Sequence, residues 1–161
     1  MDINWASELA ELLSRLSETQ KQLLALLANK HKLLMNRDHE GLAALATDEQ
    51  SLCEELKSCH ERRQEILEQA ASAGLPSDSI QSLATTLPEQ QSQTLRTSID
   101  ESMERSHLLR HESVTQWVVV QRTMLHLSHI LEIIATGGQT QPTYGKGGVT
   151  ENSGALMDQA V

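Results

Sequence analysis

The chain has 161 residues, enough for one domain and short for two. Aromatic residues make up 2 % of it, which favours long helices packed through leucines over a compact α/β enzyme. The formal net charge of −9 argues against binding to nucleic acid and against docking on anionic lipid, because both select basic surfaces.

The first predicted helix runs from Trp5 to Met35 and carries a narrow apolar seam. Its leucines recur with heptad spacing, which is typical of coiled-coil-like packing, and Gln20 interrupts them as a polar residue. The stretch "NRD" then breaks the pattern, and Asp38 is the expected N-cap of the next helix. The seam consists of Leu9, Leu13, Leu16, Leu23, Leu27 and Leu34.

The second predicted helix runs from about His39 to Ala73, again with its apolar residues on one side. Gly74 is expected to take the left-handed conformation just after the last turn, and Pro76 prevents the helix from continuing. A short helix capped by Ser77 is predicted to follow. Its apolar side consists of Ile80, Leu83 and Leu87.

The last predicted helix opens at Pro88 and continues to "ATGG", a length of roughly 70 Å at 1.5 Å per residue. The segment "VTQWVVVQ" alone would favour a strand, but the helical period continues on both sides of it. We therefore predict an all-α protein. Two long antiparallel helices, a short third helix and one very long C-terminal helix form a bundle domain over residues 1–136.

A segment without helical period follows the bundle. Residues 137–161 are rich in glycine and amides and are predicted to be disordered in isolation. The segment holds Tyr144, the only tyrosine of the chain. No core forms around an aromatic ring in such surroundings, so we expect Tyr144 to contact another protein.

Motifs for catalysis, cofactors and membrane insertion were not found. The sequence has no phosphate-binding loop and no nucleophile elbow, so we expect neither an enzyme nor a bound cofactor. Cys53 and Cys59 lie about 9 Å apart along a helix axis, too far for a disulfide, and are expected as free thiols. The N-terminus lacks a signal peptide and the unbroken apolar runs are short, which indicates a soluble, cytoplasmic protein.

The histidines offer only weak metal-site patterns. Glu104 and His107 share the spacing that di-iron bundles use for their ligands, but those sites need a second such motif and two further carboxylates. His31 lacks the glycine expected after the active histidine of a phosphotransfer bundle. We therefore expect no metal site.

The end of the last helix is apolar over more than one face. One stripe is sufficient to cover the rest of the bundle: Trp117, Val120, Met124, Leu127, Leu131 and Ile134. Further apolar residues lie beside it: Val118, Val119, Leu125, Ile130 and Ile133. Two interpretations remain open here. The segment is either the most buried part of the core or an exposed surface that binds an amphipathic helix.

Two segments resemble one known family. Residues 30–67, "KHKLLMNRDHEGLAALATDEQSLCEELKSCHERRQEIL", resemble the FlgN-type flagellar export chaperones in the leucine-rich helix, the short break and the helix that follows. A long helix rich in Leu and Ile then leads to "TYGKGG", which is similar to the Thr-Tyr-Gly-x-x-Gly tail of that family.

The resemblance implies a cytoplasmic chaperone of type III export. Such proteins bind the amphipathic terminal helices of the hook–filament junction proteins, prevent premature assembly and deliver them to the export gate. On that basis we expect Val118, Val119, Leu125, Ile130 and Ile133 to contact the client. Tyr144 is the expected contact to an export gate component. The alternative from another class is a structural coiled-coil adaptor that self-associates through its leucine seams.

Overall fold

The computed structural model describes residues 3–137 as helices joined by short connections. The helices are α1 (Trp5–Asn36), α2 (His39–Ser72), α3 (Ile80–Ala84) and α4 (Glu89–Ala135). No strand occurs within residues 3–137, and the predicted all-α class is confirmed. The chain divides into two compact units, Met1–Val120 and Gln121–Val161, and the division falls within α4.

The connection between α1 and α2 is tight and capped on both sides. Arg37 takes the left-handed conformation with φ 57° and ends α1, although it is not a glycine. Asp38 caps α2 as predicted, because its Oδ1 accepts a hydrogen bond from the Gly41 N–H at 2.8 Å. Two long helices joined by so short a turn must lie antiparallel.

Ion pairs across this hairpin agree with the antiparallel arrangement. Arg62 bonds Glu8, and Arg15 bonds Glu55 at 2.6 Å, so the residue numbers rise on one helix as they fall on the other. Both pairs are partly exposed to water, and each contributes little to stability, about 0–1 kcal/mol. The ion pairs therefore agree with the orientation of the two helices but contribute little to the stability of the hairpin.

The segment between α2 and α4 contains one confirmed prediction and one correction. Gly74 has φ 72°, and the Leu75 N–H donates to the Ala70 carbonyl at 2.9 Å, which ends α2 as expected. The predicted cap Ser77 is wrong. Ser79 caps α3, since its Oγ accepts from the Ser82 N–H at 3.0 Å, the distance along the chain that an N-cap requires.

Helix α4 has 47 residues and includes the segment with strand-like composition. It begins directly after Pro88, as predicted, and the Pro88 carbonyl accepts from the Ser92 N–H. The helical period was therefore the better guide than the β-branched residues at 114–120. Local propensity is weak and the surrounding helix overrides it.

The main core lies within the unit Met1–Val120, where α3 and the early part of α4 meet α1 and α2. The predicted seam of α1 was too narrow, because Leu12 and Leu26 are also buried. A helix that packs against two neighbours needs a broader apolar face than a two-stranded coiled coil does. The core comprises Leu9, Leu12, Leu13, Cys59, Ile66, Leu67, Ala70, Ile80, Leu83, Ala84, Leu95 and Ile99.

Candidate functional site

Buried polar contacts position α4 against α1 within Met1–Val120. The Gln20 amide donates to the Ser102 carbonyl at 3.1 Å and to the Ser106 hydroxyl at 2.9 Å, and its oxygen accepts from Arg105 at 3.1 Å. Further along, the Gln116 amide donates to the Leu27 carbonyl at 2.6 Å. The two helices are therefore parallel, and the polar interruption at Gln20 has its hydrogen-bonding groups satisfied.

Gln116 marks the end of the buried face of α4. It is 5 % exposed, and among residues 117–137 none is classed as buried. Its Oε1 is buried and has no hydrogen-bond partner among the residues that the structure describes. Sequence reasoning missed this residue, because a glutamine beside Trp117 gives no signal of burial.

The stripe expected to face the rest of the bundle is exposed. Trp117 is 62 % accessible and Leu131 is 64 % accessible, and the other members are exposed too. The prediction that this stripe packs in the bundle is wrong. The helical wheel identified the apolar stripe but could not show that the buried part of α4 ends before it. The remaining exposed members are Val120, Met124, Leu127 and Ile134.

The residues predicted to contact a client are accessible as well. Leu125 is exposed to 69 %, Val118 is half-buried, and Val119, Ile130 and Ile133 are exposed to 37–39 %. Of the two interpretations left open by the sequence, the buried core is excluded for residues 119–134. We call the exposed apolar residues of α4 within Gln121–Ala135 the apolar helix end; Val118, Val119 and Val120 precede it in the other compact unit.

Few charges interrupt the apolar helix end. Arg122 and Glu132 are the only Asp, Glu, Lys or Arg residues among residues 121–135. By length and composition, α4 is the one helix of residues 3–137 that could cross a membrane, with an 18-residue window of mean hydropathy 1.2, none of it buried. The unbroken apolar runs did not reveal this window, because single polar residues divide it. A helix whose faces are reserved for a protein partner has the same composition.

Neither the two thiols nor the histidines belong to a metal-binding cluster within residues 3–137. Cys53 and Cys59 are both free, the first exposed and the second buried, as their positions on different faces predicted. Burial is the main cause that raises the pKa of the Cys59 thiol. Over residues 3–137 no three His, Cys, Asp or Glu side chains come together as metal ligands would, and Glu104 and His107 lie exposed on α4.

The predicted contact to the export gate lies outside the described residues. Tyr144 belongs to the segment 138–161, as does most of the predicted disordered segment 137–161. Its role stays a prediction from the sequence motif.

Comparison with known families gives one match. The model of the family described as FlgN protein matches residues 1–152, which include all four helices and the segment around Tyr144. No curated protein and no solved structure matched the chain.

Proposed function

Because this chain belongs to the FlgN family of flagellar export chaperones, we propose that its apolar helix end binds the amphipathic terminal helices of hook–filament junction proteins. FlgN proteins are a chaperone family rather than an enzyme family, and they are soluble cytoplasmic proteins in general. The proposal concerns which client is bound, by which residues, and where it is delivered.

The observation that carries the proposal is the exposure of the apolar helix end. Leu125, Ile130 and Ile133 lie in water in the free chain, although a soluble monomer rarely leaves so many large apolar side chains together at its surface. Covering such a surface with an amphipathic helix removes apolar area from water on both partners. The client gains as much as the chaperone, since its own apolar face no longer drives aggregation.

The exposed methionine suits this role. Met124 is 57 % exposed, and its flexible thioether side chain adapts to partners of different shape. A chaperone that serves more than one junction protein needs that tolerance. The net charge of −9 keeps the complex soluble once the apolar surfaces are paired.

Isothermal titration calorimetry tests the client site with the C-terminal segment of a hook–filament junction protein from the same source. We expect a saturable complex for the full chain. Ile130→Asp and Ile133→Asp should each weaken binding by about tenfold or more, since burying an isoleucine side chain is worth about 1.5–3 kcal/mol. Ser128→Asp is the matched control, because it adds the same charge at an exposed polar position of the same helix.

Two results would contradict the client site. The first is the absence of binding by the unchanged chain at high micromolar concentration. The second is an equal loss of affinity in Ser128→Asp, which would indicate general charge repulsion. A stable oligomer that dissociates when the leucine seams are altered would instead support the structural coiled-coil adaptor.

Tyr144 is proposed to act at a later step, as the contact to an export gate component. A tyrosine presents a large amphipathic ring with few rotatable bonds, which suits a small binding motif. We expect Tyr144→Ala to leave client affinity within about twofold and to reduce pull-down of the chaperone by the export gate component. Gln141→Ala, outside the motif "TYGKGG", is the neighbouring control. Loss of client binding in Tyr144→Ala would contradict this division of roles.

A further inference from the structure

A second apolar surface lies in the unit Met1–Val120, away from the residues assigned to the client. It is a cleft of about 420 Å³ bounded by α1, α2, the start of α3 and α4. Its floor is made of core side chains, among them Leu12, Ile80 and Ile99, all of them buried. These buried side chains close the bottom of the cleft, and the half-buried Leu16 and the exposed Met103 supply apolar surface that a partner can contact.

The rim of this cleft carries one cationic side chain, Arg63, and no acidic one. Acidic residues outnumber Lys and Arg by 22 to 13 in the sequence, yet no Asp or Glu lines the cleft. Arg63 lies on the α2 side, with His60 one helical turn before it, and His107 lies on the α4 side. A local basic rim on an acidic protein selects a partner with a negative group.

Arg63 is available for such a partner. Its neighbour Arg62 already bonds Glu8 and Glu65, whereas the Arg63 side chain makes no ion pair or hydrogen bond with any of residues 3–137. Arg63 is also exposed, so its guanidinium can donate two parallel hydrogen bonds to a carboxylate, the geometry that arginine favours. Arg63 is therefore the group on this rim that a carboxylate is expected to bind first.

We propose that this cleft is a docking site for a peptide segment of a partner protein that presents an apolar side chain beside a carboxylate. The apolar side chain enters the cleft above Leu12, Ile80 and Ile99 and contacts Leu16, and the carboxylate pairs with Arg63. Met103, which is 52 % exposed, lines the same cleft and packs against the apolar side chain from the α4 side. The site is additional to the client surface, because it shares none of its residues.

Nuclear magnetic resonance titration of the full-length chain tests the proposal. The probe is an amidated helical peptide of about 14 residues, four turns, with leucines on one face and glutamates flanking them. We expect the amide signals of Arg63, Ser79 and Met103 to shift on addition. A second peptide with lysines in place of the glutamates should bind about tenfold more weakly.

Variants separate this cleft from the client surface. Arg63→Glu should weaken the glutamate peptide about tenfold or more, and Lys21→Glu, the same charge change at an exposed position outside the cleft, should not. Met103→Asp should weaken it as well, whereas Leu108→Asp, equally exposed on α4 but outside the cleft, should not. Ile130→Asp should leave the affinity for this peptide unchanged, because Ile130 belongs to the apolar helix end. The variants then distinguish loss of the cleft from loss of the client surface.

Three outcomes would overturn the proposal. Equal affinity for both peptides would show that charge plays no part. Signal shifts confined to residues 121–135 would place the peptide on the apolar helix end. A dimer that forms without peptide and dissociates in Arg63→Glu would identify a second copy of the chain as the occupant.

Discussion

At the scale of single residues, the two thiols have opposite environments on one helix. Cys59 is 1 % exposed, and its pKa is raised because burial disfavours the thiolate, whereas Cys53 lies at the surface. The thiolate is the reactive form. Cys59 is therefore protected twice, by low access and by its protonation state.

We predict that a thiol reagent at pH 8 modifies Cys53 first and Cys59 slower by about two orders of magnitude, because Cys59 must await local opening. Absorbance on release of the reagent's thiolate gives both rates. Cys53→Ser should remove the fast phase alone. Since the folded pKa of Cys59 is raised, its contribution to stability is present at low pH and is lost as pH rises above the ordinary thiol value. Equal rates for both thiols would contradict the burial of Cys59.

At the scale of elements, Gln20 and Gln116 join α1 to α4 in different ways. Gln20 is 1 % exposed and makes hydrogen bonds with Ser102, Ser106 and Arg105. These three bonds fix the register of α1 against α4. Gln116 makes one bond, and its buried oxygen lacks a partner within residues 3–137. A buried polar group stabilises a helix pair only when its own hydrogen bonds are complete.

We predict that Gln20→Leu lowers the free energy of unfolding by about 1–3 kcal/mol, because Arg105 loses its buried acceptor. Gln116→Leu should change it by about 1 kcal/mol or less, since the lost bond is offset by removal of an unpaired oxygen. Denaturant unfolding followed by circular dichroism measures both. A larger loss for Gln116→Leu than for Gln20→Leu would refute this ranking of the two contacts.

At the scale of the whole molecule, core and binding surface are separate. The buried core residues, among them Leu83 of α3, lie within Met1–Val120. The large apolar residues of Gln121–Ala135 are exposed instead. Stability therefore depends on a different part of the sequence from the client binding that we propose.

We predict that Leu83→Ala lowers the free energy of unfolding by about 2–5 kcal/mol, as is usual for a buried leucine. Ile130→Asp should lower it by only about 1 kcal/mol or less, since this side chain is partly exposed to water and lies outside the core. Thermal unfolding of both variants beside the unchanged chain makes the comparison. A strong destabilisation by Ile130→Asp would mean that the apolar helix end is part of the core.

The spacing of apolar residues and the residues that begin or end helices were by themselves sufficient to predict most of the fold. Asp38, Gly74 and Pro88 act over one helical turn, so the hydrogen bonds that bound a helix can be read locally. The choice of Ser77 over Ser79 was a local misassignment, because several residues of that short segment can cap. The family match likewise confirms a resemblance already visible in the sequence.

Only the tertiary structure decided which apolar surfaces stay in water. A helical wheel assigns side chains to faces, but burial depends on whether another helix lies opposite, and no local pattern contains that information. Sequence analysis therefore left the exposure of the segment from Trp117 to Ile134 open, and it gave no sign of the cleft beside Arg63. Packing buries one face of α4 as far as Gln116, and the large apolar side chains of Gln121–Ala135 stay exposed, where the partner that we propose can cover them.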